Sequence, residues 1–142
     1  IHTRLQDAGR AAGIEFHFDK IERSPNTLDS HRLIRLASTR GKQGAVVEAL
    51  FRAYFIEGRD IGDRQVLLTI AATLGLGDDV AVWLDSVAEV DTVLEEDRSA
   101  RQLGIGGVPF FIFERRHALS GAQPVDVFIQ ALHTARNEIP AP

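Results

Sequence analysis

The continuous apolar run from Phe110 to Phe113 constrains the fold of this chain more than any other feature. A glycine-rich loop at residues 104–109 precedes the run, and a charged turn at residues 114–116 separates it from a second short run, His117–Ser120. This order predicts an antiparallel hairpin. Because all four residues of the first run are apolar, we expect the strand to be covered on both faces and to have a neighbour on each side. The sequence predicts few other strands, so we expect the second neighbour of this strand to lie upstream of the chain.

Another strand is predicted near the start of the chain, where Ile14, Phe16 and Phe18 alternate with polar residues. Elsewhere, apolar residues recur at helical spacing between capping residues and glycines. This spacing predicts helices over residues 1–12, 26–40, 47–57, 63–74, 79–84, 89–103 and 124–135. The order of helix, strand, five helices, two strands and helix indicates an α/β fold with one long helical segment inside it.

The clearest of these helices carries one stripe of apolar residues. Val47, Leu50, Phe51, Tyr54 and Phe55 follow the i, i+3, i+4, i+7, i+8 spacing of a single helix face. We predict that the stripe is buried in the core, because large apolar and aromatic side chains are found inside proteins far more often than in a cage around a ligand.

Composition restricts the class of protein. The chain has 142 residues, of which 44% are apolar and 25% charged, and this balance predicts one folded domain with an ordinary core. Its net charge is −4 and its basic residues are scattered, so nucleic acid is not an expected partner. No apolar stretch approaches the roughly 20 residues that a membrane span requires, so no membrane partner is expected either.

The chain contains no cysteine and no methionine, and it begins at Ile1. It therefore has no thiolate of its own for catalysis or for a disulfide. Because it has no initiator methionine, we expect it to be part of a longer chain, in which any targeting segment would precede Ile1.

Several kinds of site are not indicated by the sequence. The histidines stand at positions 2, 17, 31, 117 and 133 without the paired spacing of metal ligands, so no metal is expected. The glycines at residues 104–107 lead into a strand rather than a helix, which disfavours dinucleotide binding. The sequence also lacks the Gly-x-Ser-x-Gly turn of many serine hydrolases. We therefore expect no bound cofactor.

Five dispersed motifs in a fixed order resemble one family. They are NTLDSHRL at 26–33, VEALFRAYF at 47–55, GRDI at 58–61, GVPFF at 107–111 and SGAQ at 120–123. In this order they resemble the DsbA-like family, especially its cytoplasmic FrnE-type branch. The resemblance implies an α/β, thioredoxin-like fold over residues 1–142, with an all-helical insertion at residues 24–103. It also implies a first strand and a helix bearing Cys-x-x-Cys upstream of this chain.

The same resemblance implies a function and a site. Members of the family are thiol-disulfide oxidoreductases, so the expected substrate is a protein or small-molecule thiol or disulfide, and the expected location is the cytoplasm. Gly107, Val108 and Pro109 are the implied substrate-binding residues, with a cis bond between Val108 and Pro109. An X-Pro bond adopts the cis form at a cost of only about 0.5 to 1 kcal/mol. The backbone of Val108 is then free to pair with an extended substrate segment.

Two other functions stay open. One is a glutathione-dependent isomerase or transferase, similar to 2-hydroxychromene-2-carboxylate isomerase, which uses an upstream serine to activate glutathione. The SGAQ sequence at residues 120–123 disfavours it, because that group tends to have a Trp-Gly-Gln-Asp-Arg stretch there. The other is a noncatalytic peptide-binding module. A homodimer is compatible with the apolar surface expected on the helical insertion.

Overall fold

A computed structural model of the chain describes residues 2–137. The chain separates into two compact units, Ile1–Glu95 and Glu96–Pro142. The single domain over residues 1–142 with an insertion at 24–103 stays a prediction. Among the residues described, there is no helix with the length and apolar character that a bilayer crossing requires.

The helices of the first unit lie close to the predicted ranges. They are α1 (His2–Ala11), α2 (Leu28–Thr39), α3 (Gln43–Phe51), α4 (Arg64–Thr73) and α5 (Val80–Asp85). α3 continues without a break as a π-helix, Arg52–Ile56, and a short 3-10 helix, Phe18–Lys20, follows α1. α6 (Val90–Gln102) crosses the boundary between the two units.

Capping residues explain where two of these helices begin. The Asp63 side chain accepts hydrogen bonds from the backbone N–H groups of Gln65 and Val66 at 2.7 and 3.3 Å. It thereby satisfies donors that have no partner inside the helix. Asn26 accepts a hydrogen bond from the Leu28 N–H at 3.0 Å, although the N-cap position itself is Thr27. The predicted start is confirmed for α4, and for α2 it is correct to within one residue.

The predicted strand at Ile14, Phe16 and Phe18 is wrong. Residues 14–17 have no regular secondary structure, and Phe18 begins the 3-10 helix. The segment reaches a distant element through the His17 N–H, which donates to the Phe55 carbonyl at 2.8 Å. A strand requires a ladder of hydrogen bonds to a neighbour. Within residues 2–137 the sheet consists only of the hairpin strands, so this segment has no strand beside it.

The core of the first unit lies among α2, α3, α4 and α5. Its most completely buried large side chains are Leu33, Val46, Leu67 and Val80. Small residues, such as Ala37 on α2 and Ala71 on α4, complete this core and are at most 2% exposed. Each of these helices therefore contributes side chains to one shared apolar centre, which is the main source of its stability.

The stripe predicted on α3 is correct only in part. Leu50 is 3% exposed, but Val47, Tyr54 and Phe55 are half-buried and Phe51 is 56% exposed. The buried face of α3 and the π-helix instead consists of Val46, Leu50 and Ala53. The face turned to the core is thus rotated from the predicted one, and the aromatic side chains lie at its edge.

Arg32 on α2 is charged and yet only 3% exposed. Its guanidinium donates hydrogen bonds of 2.7 to 3.3 Å to the carbonyls of Trp83, Leu84, Ser86 and Ala88 and to the carboxylate of Asp29. The four carbonyls belong to the end of α5 and the residues after it, where backbone acceptors have no partner inside a helix. The guanidinium also stacks on the Trp83 ring at 4.9 Å. Arg32 therefore provides donors for the carbonyls at the C-terminal end of α5 and links α5 to α2 through hydrogen bonds.

The second unit contains the predicted hairpin and the last helix. Strands β1 (Phe110–Phe113) and β2 (His117–Ser120) are antiparallel, with Phe110 opposite Ser120 and Phe113 opposite His117. Helix α7 (Val125–Asn137) packs on them through Phe128, whose ring meets that of Phe111 edge-on at 4.8 Å. The hairpin and the last helix are confirmed.

We expect Arg32→Ala to lower the free energy of unfolding by about 3 kcal/mol, because it leaves several carbonyls of the α5 end without their donor. Arg23→Ala is the matched control, since the Arg23 side chain is 73% exposed and lies 3.9 Å from Asp60. The control is expected to change stability by less than about 0.5 kcal/mol. Urea unfolding of both variants measures the difference, and equal losses would contradict the role assigned to Arg32.

A second prediction concerns acid stability. Two hydrogen bonds from Arg40, at 2.9 and 2.7 Å, hold the pKa of Asp79 below its ordinary value of 3.8. Because the folded-state pKa is the lower one, the contribution is complete above pH 3.8 and disappears as the pH falls through the folded-state value. Asp79→Asn should therefore lower the urea midpoint at pH 6 and have less effect at pH 2.5. Asp78→Asn, at an exposed neighbour, should show no such difference.

Candidate functional site

The loop that joins α6 to β1 is the predicted substrate-binding segment. Gly106, Gly107, Val108 and Pro109 are all exposed, and the Val108 side chain is 90% exposed. A side chain at Gly106 or Gly107 would meet no other atom within 4 Å, so open space surrounds the loop. The peptide bond between Val108 and Pro109 is cis, which is the isomer that the resemblance implies.

The residue after β2 is hydrogen-bonded to Pro109 in this loop. The Gly121 N–H donates to the Pro109 carbonyl at 2.8 Å, one position beyond the Phe110–Ser120 pair. Gly121 has a φ of 83°, a backbone conformation that glycine adopts without steric cost. This contact fixes Pro109 relative to the hairpin.

Val108 is exposed in this loop, as are Gly106 and Gly107 before it. Within residues 2–137, its N–H and its carbonyl have no hydrogen-bond partner in the protein. Its exposed side chain does not cover them with apolar contacts either. A donor and an acceptor on one exposed residue are what an extended peptide requires to pair with the protein backbone.

Strand β1 has one neighbouring strand among the described residues, and the second is predicted to lie upstream of the chain. In the part of the chain that the structure describes, β1 pairs with β2 alone, so its other edge has no strand beside it. Phe111 is 37% exposed and Ile112 is 51% exposed, so the strand is not covered on both faces. The second neighbour of β1, and the cover of its other face, stay predictions about the segment upstream of this chain.

The turn of the hairpin places charged residues in an unfavourable conformation. Glu114 and Arg115 have φ angles of 49° and 58°, and the Arg116 N–H closes the turn onto the Phe113 carbonyl at 3.1 Å. Two successive residues with positive φ are typical of a type I′ turn, which favours Asn and Gly. The backbone conformation of the turn therefore matches the twist of the two strands, but Glu114 and Arg115 are not the residue types that adopt this conformation most readily.

A concave surface lies in the first unit, and we call it the Phe51 groove. It consists of two adjoining clefts of ≈ 580 and ≈ 620 Å³ that both include Phe51 and Phe55. Residues 13–17 and Glu48, Arg52 and Ile56 complete the first cleft. The other lining residues of the second cleft are Ser24, Pro25, Thr27, Ser30, His31, Ile34, Val47, Leu50, Tyr54 and Ile61.

The sequence predicts that the aromatic residues at 51, 54 and 55 belong to the core, whereas in the structure they line this groove. The structural feature that accompanies this departure is the π-helix Arg52–Ile56, in which the Glu57 N–H bonds to the Arg52 carbonyl five residues back. A π segment changes the direction of the side chains that follow it and is often found at functional sites. Periodicity rules that assume 3.6 residues per turn do not detect it.

The described residues hold no group of His, Asp or Glu side chains placed to bind a metal ion. The sequence contains no cysteine, so no disulfide exchange can take place within this chain alone. The chain does offer an exposed backbone at Val108 without hydrogen-bond partners among the described residues, and a groove at Phe51.

Comparison with known proteins places these features in a family. Residues 1–133 match the sequence model of the DSBA-like thioredoxin domain. None of the curated proteins is similar enough in sequence to count as a match. A probable DsbA oxidoreductase from Streptomyces coelicolor is similar in structure, with a TM-score of 0.82 and 34% identity over 99% of this chain. The chain spans 61% of the length of that protein.

A cytosolic disulfide reductase, DsbM from Pseudomonas aeruginosa, is also similar in two solved structures. The structure with GSH has a TM-score of 0.58 and 26% identity, and the match covers 80% of this chain and 57% of DsbM. The other has a TM-score of 0.65 and 23% identity over 92% of this chain and 69% of DsbM, and it supports the fold alone. The fold is therefore thioredoxin-like and of the DsbA type.

Replacing Glu114 by Asn together with Arg115 by Gly is expected to stabilise the hairpin by about 1 kcal/mol, because both new residues adopt positive φ readily. The measurement is amide hydrogen exchange at Arg116, whose N–H closes the turn. The matched control replaces both residues by Ala, which removes the charges and keeps the strain. If the Ala variant slowed exchange equally, charge rather than backbone conformation would explain the effect.

Proposed function

Because the chain belongs to the family of DsbA-like thioredoxin domains, we propose that it is part of a thiol-disulfide oxidoreductase of the FrnE-type branch. The reactive thiols are a Cys-x-x-Cys pair in a segment that precedes Ile1 in the longer protein. Gly107, Val108 and Pro109 bind the substrate. The likeness to a probable DsbA oxidoreductase and to a disulfide reductase supports this class of reaction.

The observation that carries the proposal is the accessible backbone of Val108. A substrate cysteine must be held near the thiol pair, and the flanking peptide has to be extended to reach it. Val108 offers one donor and one acceptor to such a peptide, and the free N–H and carbonyl bind without regard to the substrate side chains. This suits an enzyme that acts on many sequences.

The chemistry is thiol-disulfide exchange. A thiolate of the reduced Cys-x-x-Cys pair attacks one sulfur of a substrate disulfide, forms a mixed disulfide and releases the other substrate sulfur as a thiolate. The second thiolate of the pair then attacks the mixed disulfide, so the substrate leaves fully reduced and the pair becomes a disulfide. The same steps in reverse oxidise a substrate dithiol. The nucleophilic thiolate is stabilised by the N-terminus of the helix that carries it.

The cytoplasm is the proposed location, in keeping with the cytosolic DsbM protein among the similar structures. There, reducing conditions supply electrons to a thiol pair.

A glutathione-dependent isomerase or transferase is the second candidate. The observation that favours it is the GSH in one of the similar structures. Such an enzyme would bind glutathione at micromolar concentration and would need a serine rather than a thiol pair. Titration of the longer protein with glutathione, together with a count of its free thiols before and after reduction, separates the two. A redox-active thiol pair supports the oxidoreductase; its absence overturns it.

We predict that Val108→Pro in the longer protein lowers kcat/KM for a peptide disulfide roughly tenfold, since it removes the N–H that pairs with the peptide. Val108→Ala is the matched control, because it shortens the exposed side chain and keeps the N–H; it should change kcat/KM less than about threefold. Turnover of a small disulfide that has no peptide backbone should be equal in both variants. An equal loss on the small disulfide would contradict peptide pairing at Val108.

A further inference from the structure

Glu89, the residue immediately before α6, has an unusual backbone conformation. Its φ is 62°, and within residues 2–137 the other positive φ angles belong to glycines and to the two residues of the hairpin turn. A residue with a side chain adopts this conformation at a steric cost, so it persists where neighbouring groups hold it. The Glu89 carbonyl accepts a hydrogen bond from the Val93 N–H at 3.0 Å, in the first turn of α6. The backbone of Glu89 therefore sets the direction in which α6 starts.

The side chain of Glu89 is held by α2 and by the first turn of α6. The Arg35 guanidinium donates to the Glu89 carboxylate at 2.5 Å, and each of the two side chains is 36% exposed. A hydrogen bond between charged groups is stronger than one between neutral groups. This contact holds the pKa of Glu89 below its ordinary value of 4.5, and a hydrogen bond with Thr92 acts in the same direction. The carboxylate is therefore charged at neutral pH and keeps its contact with Arg35.

A second arginine of α2 holds the residue before Glu89. The Arg32 Nε donates to the Ala88 carbonyl at 2.7 Å. Arg32 and Arg35 are three residues apart, so they lie on the same face of α2. Two successive residues of the connection between α5 and α6 are therefore hydrogen-bonded to one helix, and this restricts the direction of α6 at its start.

The other end of α6 leads directly into the loop of residues 104–109, which we call the Val108 loop. The Gly104 N–H donates to the Arg101 carbonyl at 3.0 Å, and the Ile105 N–H donates to the Ala100 carbonyl at 3.1 Å. With a φ of 78° at Gly104, these two bonds form a Schellman motif, which fixes the start of the loop to the helix. Among the described residues, none of α6 is buried, so its direction depends on how its ends are held.

We propose that Glu89 and Arg35 are positioning residues for substrate binding at Val108, because their contact sets the direction of α6 and α6 carries the start of the Val108 loop. The inference rests on the proposed function and assigns to these two residues a role in that reaction. A peptide pairs with the Val108 backbone productively only if the loop is correctly placed relative to the thiol pair. Loss of the contact should therefore weaken the binding of a peptide substrate and spare the exchange with a small disulfide.

The test is a double-mutant cycle in the longer protein. Arg35→Glu and Glu89→Arg each bring like charges together, and each is expected to raise KM for a peptide disulfide about fivefold while kcat changes less than about twofold. The combined variant restores opposite charges, so its KM should return to within about twofold of that of the unmodified protein. Turnover of a small disulfide that has no peptide backbone should be the same in all four proteins.

Asp79→Arg is the matched control. Arg40 and Asp79 form another ion pair of the first unit, at 2.7 Å, and neither residue adjoins α6. Asp79→Arg also brings like charges together, so it should lower Tm as Glu89→Arg does and leave KM for the peptide disulfide unchanged. A purely structural role of Glu89 would instead make KM follow Tm in both variants.

Glu89→Gln keeps the shape of the side chain and removes its charge, so it serves if charge reversal prevents folding. It should raise KM for the peptide disulfide and speed amide hydrogen exchange at Val93, whose N–H bonds to Glu89. The inference alone is overturned if KM is unchanged in the Glu89 variants, if the combined variant does not recover, or if turnover of the small disulfide falls equally. If the unmodified longer protein turns over neither disulfide, the proposed function is overturned, and this inference with it.

Discussion

The first unit depends on the buried guanidinium of Arg32. A helix as short as α5 ends with carbonyls that have no partner inside it. The segment after α5 adds two more carbonyls, those of Ser86 and Ala88. Arg32 supplies donors to all four from the neighbouring helix, and its Asp29 contact and Trp83 ring compensate part of the cost of burying the charge. Lys42 has a similar role: it donates to the carbonyls of Leu74 and Gly75 at 2.6 and 2.9 Å, at the end of α4.

The two surfaces available for binding differ in kind. The loop before β1 presents backbone groups of Val108 that have no hydrogen-bond partner among the described residues, and groups of this kind can pair with an extended peptide whatever its side chains. The Phe51 groove presents aromatic and aliphatic side chains, whose contribution depends on the fit of an apolar surface. The loop thus suits binding through backbone hydrogen bonds, and the groove suits binding through apolar contacts.

Sequence patterns predicted the helices well, because each start and stop is local. Asp63 caps α4 through donors two and three residues away, and Gly41 ends the α2 region with a φ of 68°. They predicted the hairpin for the same reason, since its strands are joined by a short turn. They did not predict the exposure of Phe51, because an apolar residue on a helix face is compatible with a core or with a groove until the partner surface is known.

By itself, the sequence determined the order of the helices and the hairpin, the absence of a thiol and the position of the Gly107–Val108–Pro109 loop, since these depend on residue type and near neighbours. Tertiary structure alone decided that Ile14 to Phe18 does not form a strand, because strand pairing requires a distant partner. It also decided that Arg32 is buried rather than solvated, because only packing brings the carbonyls at the end of α5, more than fifty residues away, to its guanidinium. Both outcomes depend on hydrogen bonding between residues far apart in the sequence, which no periodic pattern of residue types reveals.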